Sequence, residues 1–207
     1  MARPTVAVLE YDAGNVRSAR RGFDAAGADA RITRDPGEAR RADLLVVPGV
    51  GHFSACLAQL RRSGLVDVLH EAIDAGRPVF GICVGMQLLY ARSEEGDEPG
   101  LGLLPGVVER FPTGAVVPHM GWDLVTAADG AADDPLLAGV AGERVYFAHS
   151  YYAVPDDATH VVGRTAYGGV RFPSLVRERG VVGTQFHPEK SGPVGVRLLE
   201  NWIASLG

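Results

Sequence analysis

The first half of the chain alternates short, continuous apolar runs with stretches of helical spacing. The apolar runs cover residues 5–9, 43–47 and 78–82, and helical spacing is found at 16–26, at 56–73 with a break near Gly64, and at 84–92. Runs that are apolar on both faces and separated by helices are typical of a parallel sheet buried between helices. The first half is therefore predicted to contain such a sheet.

The pattern changes after Gly100, where the β-like runs are shorter and are separated by Gly, Pro and Asp. These runs cover residues 107–111, 122–126, 145–152, 160–166 and 174–177. They predict antiparallel hairpins, and residues 193–206 predict a closing amphipathic helix. We therefore expect an α/β fold in a single domain spanning residues 1–207. Helices flank a mostly parallel central sheet, and antiparallel β-hairpins form the second half.

Composition and charge exclude several classes of protein. The 207 residues include 20 basic and 25 acidic side chains, a formal net charge of -5, and only two cysteines. This balance gives no reason to expect binding to nucleic acid or to an anionic membrane. No apolar segment reaches the roughly 18 residues of a membrane span, and the apolar run at 6–9 is too short for an export signal. Without a disulfide framework, a reducing, cytoplasmic setting is expected.

The acidic stretch at residues 94–100 stands out from its surroundings. Its charges have no obvious partner nearby in the sequence, which favours a mobile surface loop.

The segment Gly81-Ile82-Cys83-Val84-Gly85 lies between a predicted strand and a predicted helix. This is the pattern of a nucleophile elbow, in which a tight turn exposes a reactive side chain and the flanking glycines avoid Cβ collisions. A helix N-terminus also favours the thiolate form of a cysteine. The alternative is that Cys83 is a small buried hydrophobic residue, which is our interpretation of Cys56.

His187 is the histidine in the most constrained setting, because Pro188 disfavours the α region at the residue before it. In an extended segment, residues two apart point the same way, so Glu189 is expected beside His187. A carboxylate there can hold one ring nitrogen while the other exchanges a proton with Cys83. The alternative is a surface loop with an incidental ion pair.

A glycine-rich loop, Pro48-Gly49-Val50-Gly51, follows the second predicted strand. Attack on a carbonyl group creates an oxyanion that needs two amide donors. The N–H of Val84, the residue after Cys83, is one candidate, and the loop can supply the other through Val50 or Gly51. An ordinary strand-to-helix turn would carry the same Pro-Gly pair.

Together, the motifs at residues 48–51, 81–87 and 187–189 resemble the triad-type, class I glutamine amidotransferases. More narrowly, the chain resembles the glutaminase subunits of imidazole glycerol phosphate synthases. The motifs that carry this narrower resemblance lie at residues 48–53, 119–122, 146–151 and 187–191. The likeness runs from residue 5 to about residue 205.

The resemblance implies that Cys83, His187 and Glu189 form a triad that releases ammonia from L-glutamine. It also implies a separate cyclase subunit with a (β/α)8 barrel, which uses the ammonia in histidine biosynthesis. The products would be imidazole glycerol phosphate and an aminoimidazole carboxamide ribonucleotide. No cofactor or metal is expected. The residues that the resemblance places around glutamine are Gln87, Gly49, His149, Ser150 and Tyr151.

Each of these substrate positions also has a plainer interpretation. Gln87 could be a solvated helix position, and the side chains of residues 146–151 could belong to a core strand.

The resemblance further implies that Lys190, Trp122 and Asn15 face the cyclase. Lys190 is the only lysine among the 20 basic residues, which gives it independent support. Some positions depart from the family's usual residues, and they put details of the interface in doubt, not the triad. The family usually has Asp, Gly, Leu and Asn where this chain has Glu10, Asp12, Val84 and Asp123.

Two alternative functions remain open from the sequence. The first is a glutaminase subunit of another pathway, such as anthranilate or aminodeoxychorismate synthesis, against which the motifs at 48–53 and 119–122 argue. The second is a Cys-elbow domain without amidotransferase activity, against which Glu189 argues by completing a triad.

Overall fold

The computed structural model describes residues 3–206 and contains twelve β-strands and six α-helices in that range. The strands are β1 (Thr5–Leu9), β2 (Asp29–Thr33), β3 (Leu44–Gly49), β4 (Val79–Cys83), β5 (Gly106–Arg110), β6 (His119–Leu124), β7 (Thr126–Ala127), β8 (Arg144–His149), β9 (Tyr151–Pro155), β10 (Val161–Tyr167), β11 (Val170–Glu178) and β12 (Val181–Thr184). The helices are α1 (Val16–Ala25), α2 (Pro36–Arg41), α3 (Phe53–Arg62), α4 (Val66–Asp74), α5 (Val84–Gln87) and α6 (Gly192–Ala204).

The main sheet has eight strands in the order β2-β1-β3-β4-β12-β11-β10-β7. The first five are parallel to one another, and the last three join through antiparallel pairs. Two smaller antiparallel sheets pair β5 with β9 and β6 with β8. The predicted fold class, a mostly parallel α/β sheet with antiparallel hairpins in the second half, is confirmed.

The two halves of the chain meet where β12 pairs with β4. Thr184 lies opposite Ile82 in this parallel ladder, so the residues that follow both strands emerge at the same edge of the sheet. The sequence pattern does not predict β12, because a four-residue strand that contains a glycine carries too little periodicity.

One face of the sheet is covered by the first and last helices. Phe23 of α1, Phe80 of β4 and Trp202 of α6 pack edge to face, with ring centroids 5.0 to 5.8 Å apart. Aromatic pairs of this geometry contribute about 1 kcal/mol each beyond their buried area. The predicted amphipathic pattern of the C-terminal helix is thus directed at β4, the strand that ends in Cys83.

Several predicted elements differ from the structure. The strand β2 was missed because two of its five residues are charged, which an edge strand tolerates. The predicted run at 145–152 is two strands, β8 and β9, that belong to different sheets. The predicted helix at 84–92 ends at Gln87, so the helix dipole at Cys83 is that of a single turn and is weaker than expected.

The acidic stretch at 94–100 is not a loop of unpaired charges. Glu94 accepts a hydrogen bond from the backbone N–H of Arg110 at 2.8 Å, and Glu95 accepts one from the N–H of Phe53 at 2.7 Å. Glu98 lies 3.5 Å from Arg61. The inference that these charges are unpaired is wrong, because their partners are distant in sequence and the local pattern does not show them. No helix within residues 3–206 is long and apolar enough to cross a membrane.

We predict that Gly85→Ala destabilises the protein by about 3 kcal/mol or more, because its Cβ would overlap the carbonyl oxygen of Val47. Gly102→Ala is the control, since a Cβ there meets no atom within 4 Å and only the positive φ of 64° opposes it, at about 1 kcal/mol. Urea denaturation measures both. Equal losses for the two variants would contradict the proposed close approach.

Candidate active site

Cys83 is the last residue of β4 and the N-cap of α5. Its backbone angles are φ 53° and ψ -116°, a region that non-glycine residues seldom occupy. The two flanking glycines allow this turn. A Cβ on Gly81 would lie 2.6 Å from the Cα of Met86, and one on Gly85 would overlap the carbonyl oxygen of Val47. The surroundings therefore hold the backbone of Cys83 in this strained conformation, which fixes the direction of its side chain.

His187 and Glu189 form a buried pair next to Cys83. The Nδ1 atom of His187 lies 2.9 Å from Oε1 of Glu189, and their side chains are 2% and 3% exposed. This burial excludes the surface-loop interpretation. The prediction that an extended segment places Glu189 beside His187 is only partly right. His187 is extended, but residues Pro188–Lys190 form a 3-10 turn, and this turn, not strand alternation, brings the carboxylate back to the ring.

The charge state of His187 depends on both neighbours. Burial alone would lower its pKa, but the charge of Cys83 and a hydrogen bond to it, together with Glu189, raise the pKa of His187 to about 10. The imidazole therefore keeps its proton at neutral pH. Cys83 and His187 line the same cavity, although they are 104 residues apart in the sequence.

The glycine-rich loop is held by two side chains. The buried hydroxyl of Tyr11 donates to the carbonyl oxygen of Pro48, and the thiol of Cys56 donates to that of Val50 at 3.3 Å. Burial raises the pKa of Cys56 to about 11, so this cysteine remains a thiol and a donor. It is a buried residue of α3, as the sequence indicated, with a hydrogen bond that the sequence did not.

A cavity of about 460 Å3 opens in front of Cys83. It is lined by Asn15, Val50, Gly51, Cys83, Val84, Gln87, Glu95, Pro118, Met120, Tyr146, Ala148, His149, Ser150, Tyr151, His187 and Lys190. Among the predicted substrate residues, Gly49 lies behind this wall, where a Cβ would collide with the backbone of Val84 and Gly85. Glu95 was missed, because nothing in its acidic neighbourhood distinguishes it.

Gln87 is not a solvated helix residue. It is 2% exposed, and its Nε2 donates to the carbonyl oxygen of Tyr151 at 2.9 Å. Its carbon chain is thereby fixed with the amide at the cavity wall. A second buried glutamine, Gln185, contacts both Gln87 and Cys83 and was not singled out from the sequence.

A pair of buried histidines supports the same wall. The Nδ1 of His149 faces the carbonyl oxygen of Tyr151 at 2.8 Å, and its Nε2 faces Nδ1 of His119 at 3.1 Å. Because a carbonyl oxygen only accepts, Nδ1 of His149 carries a proton and Nε2 accepts from His119. Burial lowers the pKa of His149 to about 3 and also lowers that of His119. Both rings are thus held neutral.

The mouth of the cavity opens on an exposed apolar stripe. Met120, Trp122 and Leu124 project outward from β6, and Trp122 is 52% exposed. The ammonium group of Lys190 lies 5.7 Å from the ring centre of Tyr146. Asn15 caps α1 by accepting from the N–H of Ser18 and also lines the cavity.

Among the departures from the family pattern, Asp12 has a local explanation. Asp12 has a positive φ of 64°, which suits the glycine usual there, and its carboxylate is held by Arg34 at 2.7 Å. Arg34 also binds Glu10 at 2.9 Å. Asp123 lies 3.5 Å from Nε2 of His119. Val84 is buried at the elbow and lines the cavity.

Comparison with known proteins gives a consistent result. The family model for "Glutamine amidotransferase class-I" matches residues 8–206. The chain is 48% identical to the imidazole glycerol phosphate synthase subunit HisH of Leifsonia xyli, with both chains covered completely. It is 47% identical to the HisH subunit of Halobacterium salinarum, over 96% of this chain and 92% of the relative. Among solved structures, PurLQS from Thermotoga maritima is similar with a TM-score of 0.77 and 23% identity, each chain covered completely.

We predict that the protein loses stability as the pH falls below 6.5. His149 has a pKa of about 3 in the folded protein, so at these pH values it binds a proton in the unfolded state but not in the folded state. Stability is complete above pH 6.5, and this one group removes about 2 kcal/mol between pH 7.5 and 5.0. Urea denaturation at both pH values measures the change, and His187, whose pKa is raised to about 10, offsets part of the loss over the same interval in every variant. His149→Gln should shrink the loss, whereas His70→Gln, at an exposed position on α4, should not. An unchanged loss in His149→Gln would refute the assignment.

Proposed function

Because the chain belongs to the class I glutamine amidotransferase family, we propose that it is the glutaminase subunit of an imidazole glycerol phosphate synthase and hydrolyses L-glutamine. The observation that carries the proposal is the buried Cys83–His187–Glu189 arrangement at a cavity of substrate size. The HisH relatives, which match nearly the whole chain, support the assignment to histidine biosynthesis.

In the first half of the reaction, the thiolate of Cys83 attacks the side-chain carbonyl carbon of glutamine. The backbone N–H groups of Val84 and Val50, or Gly51, stabilise the oxyanion, each by about 3 kcal/mol in the transition state. His187 then gives its proton to the departing nitrogen. The C–N bond breaks, ammonia leaves and a γ-glutamyl thioester remains on Cys83.

In the second half, water replaces ammonia beside the thioester. His187, now neutral, takes a proton from the water as its oxygen attacks the thioester carbon. The C–S bond breaks, glutamate leaves, and the pair returns to thiolate and imidazolium. Glu189 holds Nδ1 of His187 throughout, so Nε2 is always directed at the reacting atoms.

The cavity wall supplies contacts for the rest of the substrate. The amide of Gln87 and the backbone of His149, Ser150 and Tyr151 line the side that faces Cys83. The carboxylate of Glu95 adds a negative charge to the wall, which suits the α-ammonium group of an amino acid.

The partner in this proposal is a cyclase subunit with a (β/α)8 barrel, and it covers the mouth of the cavity. The apolar stripe of Met120, Trp122 and Leu124 provides a hydrophobic centre, and Lys190 and Asn15 lie at the cavity mouth as polar contacts. Ammonia released beside Cys83 then leaves through a mouth that the partner occupies.

The alternatives are less well supported. A chorismate-pathway glutaminase finds no support among the HisH relatives. An inert Cys-elbow domain gives no reason for the buried glutamate that holds His187.

We predict that Cys83→Ala abolishes glutamine-dependent synthesis by the complex with the cyclase, a loss of at least about 10³-fold, because no thioester can form. Synthesis from added ammonia should stay within about twofold, since the cyclase uses ammonia directly. Product formation is followed with each nitrogen source. Cys56→Ala, which changes a cysteine outside the triad, is the matched control and should retain measurable glutamine-dependent synthesis. Loss of both activities in Cys83→Ala would contradict the division of labour.

We predict that Trp122→Ala weakens binding to the cyclase at least 30-fold, about 2 kcal/mol, because it removes the largest apolar side chain of the stripe. Isothermal titration with the purified cyclase measures the dissociation constant. Leu206→Ser is the control, since α6 runs away from Lys190 for 13 residues, about 20 Å. An unchanged affinity of Trp122→Ala would show that the partner binds another face.

A further inference from the structure

Gln185 lies beside the reactive sulfur because of the strand register. Thr184, the last residue of β12, pairs with Ile82 of β4. Gln185 follows Thr184, and Cys83 follows Ile82, so the two residues lie side by side. Gln185 is 0% exposed, and its Nε2 lies 3.6 Å from Sγ of Cys83. A completely buried amide in this position needs hydrogen-bond partners on both of its ends.

The orientation of the Gln185 amide follows from a chain of three bonds. The carbonyl oxygen of Tyr151 can only accept, so the group of Gln87 that faces it is the NH2 group. The same NH2 group lies 3.0 Å from the side chain of Gln185, which must present its oxygen there. The NH2 group of Gln185 therefore faces Cys83, and its N–H donates to the sulfur.

We propose that Gln185 is a catalytic residue of this site, a second donor that stabilises the Cys83 thiolate and fixes the direction of the sulfur; the proposal rests on the proposed glutaminase function. A buried thiolate needs donors, and His187 gives up its proton during the reaction. The amide of Gln185 remains a donor at every stage. It stabilises the thiolate before attack and again when the thioester breaks and sulfur leaves.

The chain also joins substrate binding to the nucleophile. Gln87 contacts the substrate wall at Tyr151 with the same NH2 group that orients Gln185. A movement of this wall would therefore change the hydrogen bond to the sulfur.

The test is the pH dependence of Cys83 alkylation by iodoacetamide in the complex with the cyclase, with Cys83→Ala as background. The titratable groups that face the sulfur are His187, with Glu189 behind it, Tyr11 and Cys56. The same cavity is also lined by Glu95, Tyr146, His149, Tyr151 and Lys190. Burial raises the pKa of Tyr11 well above its ordinary value and that of Cys56 to about 11, so neither group changes charge between pH 5 and 9. The midpoint of alkylation then reports on the Cys83–His187 pair.

Gln185→Glu keeps an acceptor for Gln87 but directs a carboxylate oxygen at the sulfur. We expect the alkylation midpoint to rise by about one pH unit or more, because a like charge and a lost donor both disfavour the thiolate. The kcat for glutamine should fall at least tenfold, while ammonia-dependent synthesis stays unchanged. Gln59→Glu makes the same change on α3, away from the sulfur, and should leave both the midpoint and kcat unchanged.

If Gln185→Glu does not fold, Gln185→Met replaces it as a neutral variant of similar length. It should shift the midpoint in the same direction, by about half a pH unit, with kcat again reduced. A folded variant with the wild-type midpoint and a kcat within twofold overturns the role of Gln185. Failure of the wild-type complex to form glutamate would instead contradict the proposed function, since alkylation does not require glutamine turnover.

Discussion

The parallel pairing of β4 with β12 is the interaction on which the rest of the site depends. Each strand ends at the same edge of the sheet, and the register sets Gln185 next to Cys83 and brings His187 to the same cavity. A slip by one residue would turn every side chain of β12 to the opposite face. The fully buried ladder between two distant halves of the chain therefore specifies the arrangement of Cys83, Gln185 and His187 as well as the fold.

The chemistry of the site depends on removing water from charged groups. His187 and Glu189 are almost completely buried, so their interaction is stronger than that of a surface ion pair. Within residues 3–206, Oε2 of Glu189 has no hydrogen-bond partner, which leaves the carboxylate charge directed mainly at His187. The neutral His119–His149 pair and the glutamine chain then complete the cavity wall without adding a further charge.

The parts of the site that were predictable are those that carry local steric rules. Cys83 was found through its flanking glycines, and His187 through the proline that follows it. Gln185 and Glu95 were not found, because their roles come from contacts made across the fold and no local pattern marks them. The same distinction explains the fold, since long apolar runs predicted the central strands and the edge strand β2 and the short strand β12 were missed.

The outward face of β6 has a practical consequence for handling the protein. Within the described residues, β6 pairs with a single strand, β8. The side chains of Met120, Trp122 and Leu124 form an exposed apolar surface on its outward face. Molecules produced without their cognate subunit would adhere to one another through this face at high concentration. If the cyclase binds this face as proposed, co-expression of the two subunits is the remedy, because the partner then shields the patch as soon as it forms.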